Sequence, residues 1–111
     1  MNEGRILILN LAKGRIGETP AQLLGSLFVI AFAQAAEERA KIPEADRRDF
    51  YLYVDEVRNF ANDGFSQILS ESRKMRLSLT LANQFYAQLP ESLQAAISGN
   101  VGTMIAFRLS V

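Results

Sequence analysis

The chain has 111 residues, of which 49% are apolar and 22% are charged, with 12 basic and 12 acidic side chains. This length and composition indicate one folded domain, and the zero net charge excludes a protein that binds nucleic acid by electrostatics alone. Because cysteine and histidine are absent, there is no disulfide, thiol nucleophile, imidazole base or Cys/His metal site, and any chemistry must use carboxylates, arginines, amides and hydroxyls.

The start of the chain lacks the charged-then-apolar layout of a secretory signal. The longest apolar stretch, residues 21–36, is interrupted by Gln22, Ser26 and Gln34. It is shorter than the roughly 20 residues that a membrane span needs. We therefore expect a cytoplasmic chain without a membrane segment.

The first half of the chain predicts a strand, a long helix and a linker. The apolar run 5–11 stops at Lys13 and Gly14 and predicts a strand buried on both faces. Thr19 and Pro20 predict the N-cap and first position of a helix. Its apolar residues surround the helix and predict that protein covers most of it; they are Leu23, Leu24, Leu27, Phe28, Ile30 and Ala31. A charged linker follows over residues 41–49.

The second half continues the alternation of strands and helices. Residues 50–56 and 77–82 predict two more strands, separated by a helix, and residues 103–109 predict a fourth. The buried stripe of that helix is Phe65, Ile68, Leu69 and Ser72, and a last helix runs from Pro90 to Gly99. The order predicts an α/β fold with three layers, a mostly parallel sheet of about four strands and flanking helices. Since nothing follows to cover the fourth strand, we expect this sequence to be part of a larger domain.

Asp55 and Glu56 directly follow the second strand, at the end where α/β sheets bind ligands. In nucleotide hydrolases, the first such acid holds magnesium and the second polarises the attacking water. Gln84, after the third strand, can orient a water or contact a phosphate beside the two acids. The alternatives are an exposed acidic turn for the pair and a helix cap or loop amide for the glutamine.

Taken together, these segments resemble a known family. Residues 50–56 (Phe-Tyr-Leu-Tyr-Val-Asp-Glu) resemble a Walker B strand. The stretches 72–84 and 98–109 resemble the segments that follow it in TraG/TraD-like conjugative coupling proteins. These are hexameric DNA-pumping ATPases of type IV secretion, in the FtsK/HerA-like superfamily. The likeness covers roughly residues 5–109 and implies that residues 1–111 form a single, partial RecA-like P-loop NTPase domain, from Walker B to the sensor region.

The resemblance implies a role for each of several residues. Asp55 would help hold Mg²⁺, and Glu56 would act on the attacking water. Gln84 would contact that water or the γ-phosphate. Arg73 matches the position of an arginine finger offered to a neighbouring subunit, with Arg76 as the alternative; a basic residue at the end of a helix is also favourable on dipole grounds alone. Arg108 would lie near the subunit interface or the nucleotide.

The sequence departs from the family in one respect. It contains no Gly-x-x-x-x-Gly-Lys-Ser/Thr loop, and the nearest segment, residues 13–19, has its glycines and lysine in a different order. The resemblance then implies the C-terminal half of a motor domain that is inactive alone. ATP and Mg²⁺ would bind the parent protein, with none expected on this fragment. The fragment would form a dimer and the parent a hexamer that works with DNA and other secretion-system proteins, at the inner membrane if the parent carries membrane helices.

Two other classes of function remain open. The chain would be a freestanding α/β interaction module if the acidic pair were only a solvated turn. It would be a small metal-dependent enzyme if Asp55, Glu56 and Asp63 together bound a divalent ion. Residues 58–64 are interpreted as a connector rather than a DNA-contacting loop.

Overall fold

The computed structural model describes residues 1–107. Its main elements are α1 (Lys13–Ile16), α2 (Glu18–Glu38), β1 (Phe50–Val54), α3 (Asp63–Glu71), β2 (Leu77–Leu81) and α4 (Glu91–Asn100). Short 3₁₀ turns lie at Arg39–Lys41, Glu44–Asp46, Val57–Asn59, Ser72–Met75 and Tyr86–Gln88. Helical residues make up 56%, so the mixed α/β class predicted from the sequence is confirmed.

The two strands form a parallel pair connected through α3. Their register runs from Phe50 opposite Leu77 to Val54 opposite Leu81. Both strands alternate between inward and outward side chains, the period of two that is typical of a strand with one buried face. The strand-helix-strand unit in the middle of the chain is therefore confirmed, with strand ends one or two residues shorter than predicted.

All the longer helices contribute to one buried cluster, which also receives the inward side chains of the sheet. Phe65 and Leu93, from α3 and α4, are almost fully buried in it, and the ring of Phe32 on α2 lies 5.9 Å from the ring of Phe50. The opposite face of the sheet is exposed and carries Tyr51, Tyr53, Ser78 and Thr80. Among the described residues the arrangement therefore has two layers, not the three predicted.

The predicted first and fourth strands do not form over the described residues. Residues 5–11 and 103–107 have irregular backbone, and both segments are exposed: Ile6 is 92% and Phe107 is 87% accessible to solvent. An isolated apolar segment gains no ladder hydrogen bonds, and neither segment pairs with β1 or β2 within the described chain. The remainder of the fourth strand, with Arg108, lies outside the described residues.

Helix α2 buries a face different from the one predicted. Its buried residues are small and spaced three or four apart: Ala21, Gly25, Val29, Ala33 and Ala36. The larger apolar residues Leu23 and Leu27 are 61% and 53% exposed, so the prediction that protein covers most of this helix is wrong. The helix also begins two residues earlier than predicted, at Glu18 instead of Pro20, with Gly17 as the N-cap at a φ of 88°.

The helical span Glu18–Lys41 is long and apolar enough to cross a membrane by length and composition, with a mean hydropathy of 1.3 in its most apolar window. Within that window 22% of the residues are buried in the protein. Core helices of water-soluble proteins satisfy the same criterion, so the cellular location stays a prediction.

Two arginines, one directly after α2 and one in the predicted charged linker, tie the amino ends of the two strands to α2. Arg39, only 1% exposed, donates from its guanidinium to the carbonyl oxygens of Arg48 and Arg76, which lie just before β1 and β2. Arg47 donates from Nε to the carbonyl of Arg39 at 2.9 Å and from a terminal nitrogen to the carbonyl of Lys74 at 2.5 Å. Burial lowers the pKa of Arg39, yet an arginine side chain stays protonated at neutral pH.

Candidate functional site

The carboxyl ends of β1 and β2 lie side by side, and backbone hydrogen bonds continue past both strands. The Ala82 amide donates to the carbonyl of Val54 at 2.9 Å, and the Val57 amide donates to the carbonyl of Ala82 at 3.1 Å. These bonds hold the first residues after each strand at one edge of the sheet. Asp55 and Glu56 therefore share this edge with Gln84, the placement expected for ligand-binding residues of α/β sheets.

The two acids have different surroundings. The exposed Asp55 accepts a hydrogen bond from the Glu56 amide to Oδ1, at 2.9 Å. Glu56 has left-handed backbone, with φ 50° and ψ 51°, a conformation that costs an L-residue with a side chain about 1–2 kcal/mol. Its side chain is 28% exposed, and Oε2 lies 3.4 Å from Nε of Arg58 while accepting no hydrogen bond within the described chain.

Polar side chains connect the chain after β1 to the chain after β2. Asn83 accepts from the Arg58 amide at 3.4 Å and donates from Nδ2 to the carbonyl of Phe85 at 2.7 Å. The guanidinium of Arg58 also donates to Oε1 of Gln88. Gln84 lies between these contacts and is exposed.

A cleft of about 590 Å³ opens beside this edge. It lies between residues 9–13, the inner face of α2 and the carboxyl half of β1. Asp55, Glu56 and Arg58 all line it, and so does Lys13. Its volume falls in the range of small-molecule sites, and its lining combines apolar walls with a few charged groups, as such sites commonly do.

The segment 13–19 lies by the cleft but does not form a phosphate cradle. Its lysine, Lys13, pairs with Glu18 at 2.7 Å, and this hydrogen bond and charge lower the pKa of Glu18, with Arg58 adding to the effect. The amides of Arg15 and Gly17 already donate to the carbonyls of Ala12 and Lys13. A phosphate loop needs such amides to point at the ligand.

The two arginines considered for the arginine finger lie near the amino ends of the strands, at the end of the sheet opposite the acids. Arg73 is exposed on the 3₁₀ turn that leads into β2, and Arg76 lies directly before the strand. Five strand residues, about 16 Å, separate this edge from the acids. Arg76 pairs with Asp49 at 3.6 Å.

The donors at this edge suit a magnesium ion that also has phosphate ligands. Over residues 1–107, no three carboxylates gather into a metal-binding group, and the side chain of Asp63 is outside what the structure describes. Mg²⁺ in nucleotide sites uses one or two carboxylates together with waters and phosphate oxygens. The exposed Asp55 fits that requirement.

No protein-family model matches the chain, and no curated protein or solved structure matches it either. The likeness to coupling proteins therefore stays a prediction from the sequence.

Sequence reasoning missed the role of Arg58 at this edge, because residues 58–64 were interpreted as a connector. A signal was present: an arginine two residues after a strand-terminal glutamate can reach back to the carboxylate where the chain turns. The left-handed backbone that brings the two side chains together is not visible in the sequence, because glutamate is uncommon at such positions.

Proposed function

We propose that this chain is the Walker B-to-sensor part of an ATP-driven, DNA-translocating motor domain similar to TraG/TraD-like coupling proteins of type IV secretion. The observation that carries the proposal is that Asp55, Glu56 and Gln84 follow two adjacent parallel strands at the same end of the sheet, where the two acids line a cleft of about 590 Å³. In the assembled motor, residues 5–11 and 103–109 would join the sheet as further strands of a three-layer RecA-like domain.

In this proposal each side chain has one task. Mg²⁺ bound with ATP supplies neutralisation of the charge that develops on the transferred phosphoryl group. Asp55 would help hold that ion, directly or through water. Glu56 would accept the proton of the attacking water, and Gln84 would orient the water or contact the γ-phosphate. Each of these tasks needs only an oxygen or amide at the strand ends.

Two parts of the machinery would come from elsewhere. The phosphate cradle would come from a strand and loop outside this sequence, so the isolated fragment would bind no ATP and hydrolyse none. Arg73 would reach the nucleotide of the neighbouring subunit, which fits its exposed position away from its own acids. The working unit would be a cytoplasmic hexamer that moves DNA.

A second candidate is a freestanding interaction module without catalysis. The exposed apolar side chains Leu23 and Leu27 on α2 favour it, because large exposed apolar patches mark surfaces that bind another protein. Under this alternative the acidic turn has no catalytic role.

The deciding experiment is Glu56→Gln in the protein as its gene encodes it, assayed with ATP, Mg²⁺ and DNA. We expect hydrolysis to fall by at least about 100-fold while ATP binding is retained, because the amide cannot accept the proton but keeps the shape of the side chain. Glu44→Gln, an exposed carboxylate on the linker, is the matched control and should leave hydrolysis unchanged.

Unchanged hydrolysis in Glu56→Gln would remove the catalytic role of this residue. A native protein without any ATP hydrolysis would instead favour the interaction module.

A further inference from the structure

Arg58 contacts both strand ends of the candidate site. Its Nε lies 3.4 Å from Oε2 of Glu56, its guanidinium donates to Gln88, and its backbone amide donates to Asn83 at 3.4 Å. Glu56 follows β1, whereas Asn83 and Gln88 follow β2. One arginine therefore joins the proposed catalytic carboxylate to the segment that carries Gln84.

This ion pair differs from an ordinary surface pair of the same spacing. Glu3 and Arg5 are also two residues apart and lie 2.8 Å from each other, but their side chains are 73% and 85% exposed. The side chains of Glu56 and Arg58 are 28% and 36% exposed. Water screens the Glu3–Arg5 pair much more strongly, and such exposed ion pairs contribute little to the stability of the fold.

The direction of the Glu56 carboxylate depends on its backbone conformation and on Arg58. The left-handed conformation sets where the side chain leaves the main chain, and Oε2 accepts no hydrogen bond among the described residues although it is buried. Burying a carboxylate oxygen without a hydrogen bond is costly unless an opposite charge lies close to it. Arg58 supplies that charge.

We propose that Arg58 is a positioning residue, which holds one oxygen of the Glu56 carboxylate so that the other stays available to the cleft. Gln88 and Asn83 hold Arg58 in turn, so the position of the carboxylate depends on the segment after β2. This inference rests on the proposed function, since it concerns how the same site is positioned.

The test combines kinetics of the native protein with spectroscopy of the 111-residue chain. In ATP hydrolysis, we expect Arg58→Ala to lower kcat at least about tenfold with KM for ATP unchanged, since a small misplacement of a reacting group is costly. Arg58→Lys keeps the charge and should recover part of kcat. Arg5→Ala removes the exposed pair of equal spacing and should leave kcat unchanged.

In ¹³C and ¹⁵N NMR spectra of the chain, Arg58→Ala should shift the carboxylate signal of Glu56 and the side-chain amide signal of Gln88. Arg58→Lys should shift the Gln88 signal while largely retaining that of Glu56. Arg5→Ala should move neither. A role limited to folding would not separate the two signals in this way.

The outcomes distinguish this inference from the proposed function. If Glu56→Gln abolishes hydrolysis while Arg58→Ala leaves kcat unchanged, the positioning role is wrong and the proposed function stands. If Glu56→Gln leaves hydrolysis unchanged, both are wrong. If Arg58→Ala shifts neither the Glu56 signal nor the Gln88 signal, Arg58 does not contact these two side chains. The inference then fails whatever the kinetics show.

Discussion

Two residues other than glycine have left-handed backbone in the described chain, Glu56 and Arg76. Each lies at an end of a strand, where the chain must turn sharply: Glu56 after β1 and Arg76 before β2. Such strain persists where the surrounding structure holds it, and it concentrates at functional sites. Arg76 has a structural reason, because its carbonyl accepts from the Phe50 amide at 3.0 Å and from the buried Arg39. For Glu56, the reason we propose for the left-handed backbone is its catalytic role.

Substitution at Glu56 tests the strain directly. We expect Glu56→Gly to have a free energy of unfolding about 1 kcal/mol higher than Glu56→Ala, because both lose the carboxylate and only glycine relieves the left-handed backbone. The same pair of substitutions at Glu44, which lies on a 3₁₀ turn without positive φ, should show the opposite order. Urea denaturation of the four variants measures the difference. Equal values at Glu56 would mean that the backbone there is not strained.

At the scale of elements, the close approach of α2 to the turn after β1 positions the cleft. Gly25 faces the ring of Phe60, and a Cβ at this position would overlap the ring carbons. The helix therefore needs a residue without a side chain here, although glycine lowers helix stability by about 1 kcal/mol relative to alanine. The tight contact explains why this position in the buried stripe of α2 is a glycine.

Gly25→Ala should lower the free energy of unfolding by about 1–3 kcal/mol, since overpacking outweighs the gain in helix propensity. Gly99→Ala on α4 is the matched control: a Cβ there meets nothing within 4 Å. It should be neutral or stabilising by up to about 1 kcal/mol. Thermal and urea denaturation check both variants. A Gly25→Ala protein as stable as Gly99→Ala would show that α2 does not lie against Phe60.

At the scale of the whole molecule, the chain exposes more surface than a self-contained monomer. Its accessible surface is 8099 Å², against about 6,100 Å² expected for a monomer of 12.3 kDa. Its radius of gyration is 14.6 Å, against about 13 Å for a domain of this length. The excess of roughly 2,000 Å² exceeds the ~800 Å² that each partner buries in a stable interface. This surface supports the proposal that the chain works in an assembly.

The isolated chain should accordingly self-associate, and α2 should take part. Leu23, Leu27 and Ile30 follow each other at helical spacing and remain exposed. We expect Leu27→Gln to weaken dimerisation by at least about tenfold, which is the 1.4 kcal/mol expected for removing one buried apolar side chain from an interface. Sedimentation velocity over a concentration series measures it. Ser78→Gln, on the exposed face of the sheet, is the control. A chain that stays monomeric at all concentrations would contradict the prediction.

The sequence predicted the central strand-helix-strand unit because its patterns are local. Two local patterns predict the strands: apolar residues alternate with polar ones over 77–82, and aromatic and β-branched residues are enriched over 50–56. Neither pattern depends on which residues surround it in the fold. Pro90 and Gly99 likewise indicated the bounds of α4 to within one residue. The position of Asp55, Glu56 and Gln84 at one edge followed from the parallel order of those strands.

The remaining features depend on contacts between distant residues. Whether residues 5–11 form a strand depends on a neighbouring strand to pair with, and hydrophobicity alone does not supply one. Which face of α2 is buried depends on contacts with distant residues, such as the ring of Phe60 against Gly25, some 35 residues further along the chain. Burial of Arg39 follows from the two carbonyls that meet it at the amino ends of the strands.

By itself, therefore, the sequence determined the class of fold, the order of the central elements and the acids that end β1, because each depends on residue type and short-range spacing. Only the tertiary structure decided that Arg58 joins Glu56 to the segment after β2, and that small residues rather than leucines cover the core side of α2. The physical reason is the same in both cases. Charge pairing and close packing act between side chains that chain folding brings together, and their energies depend on distance and burial in space.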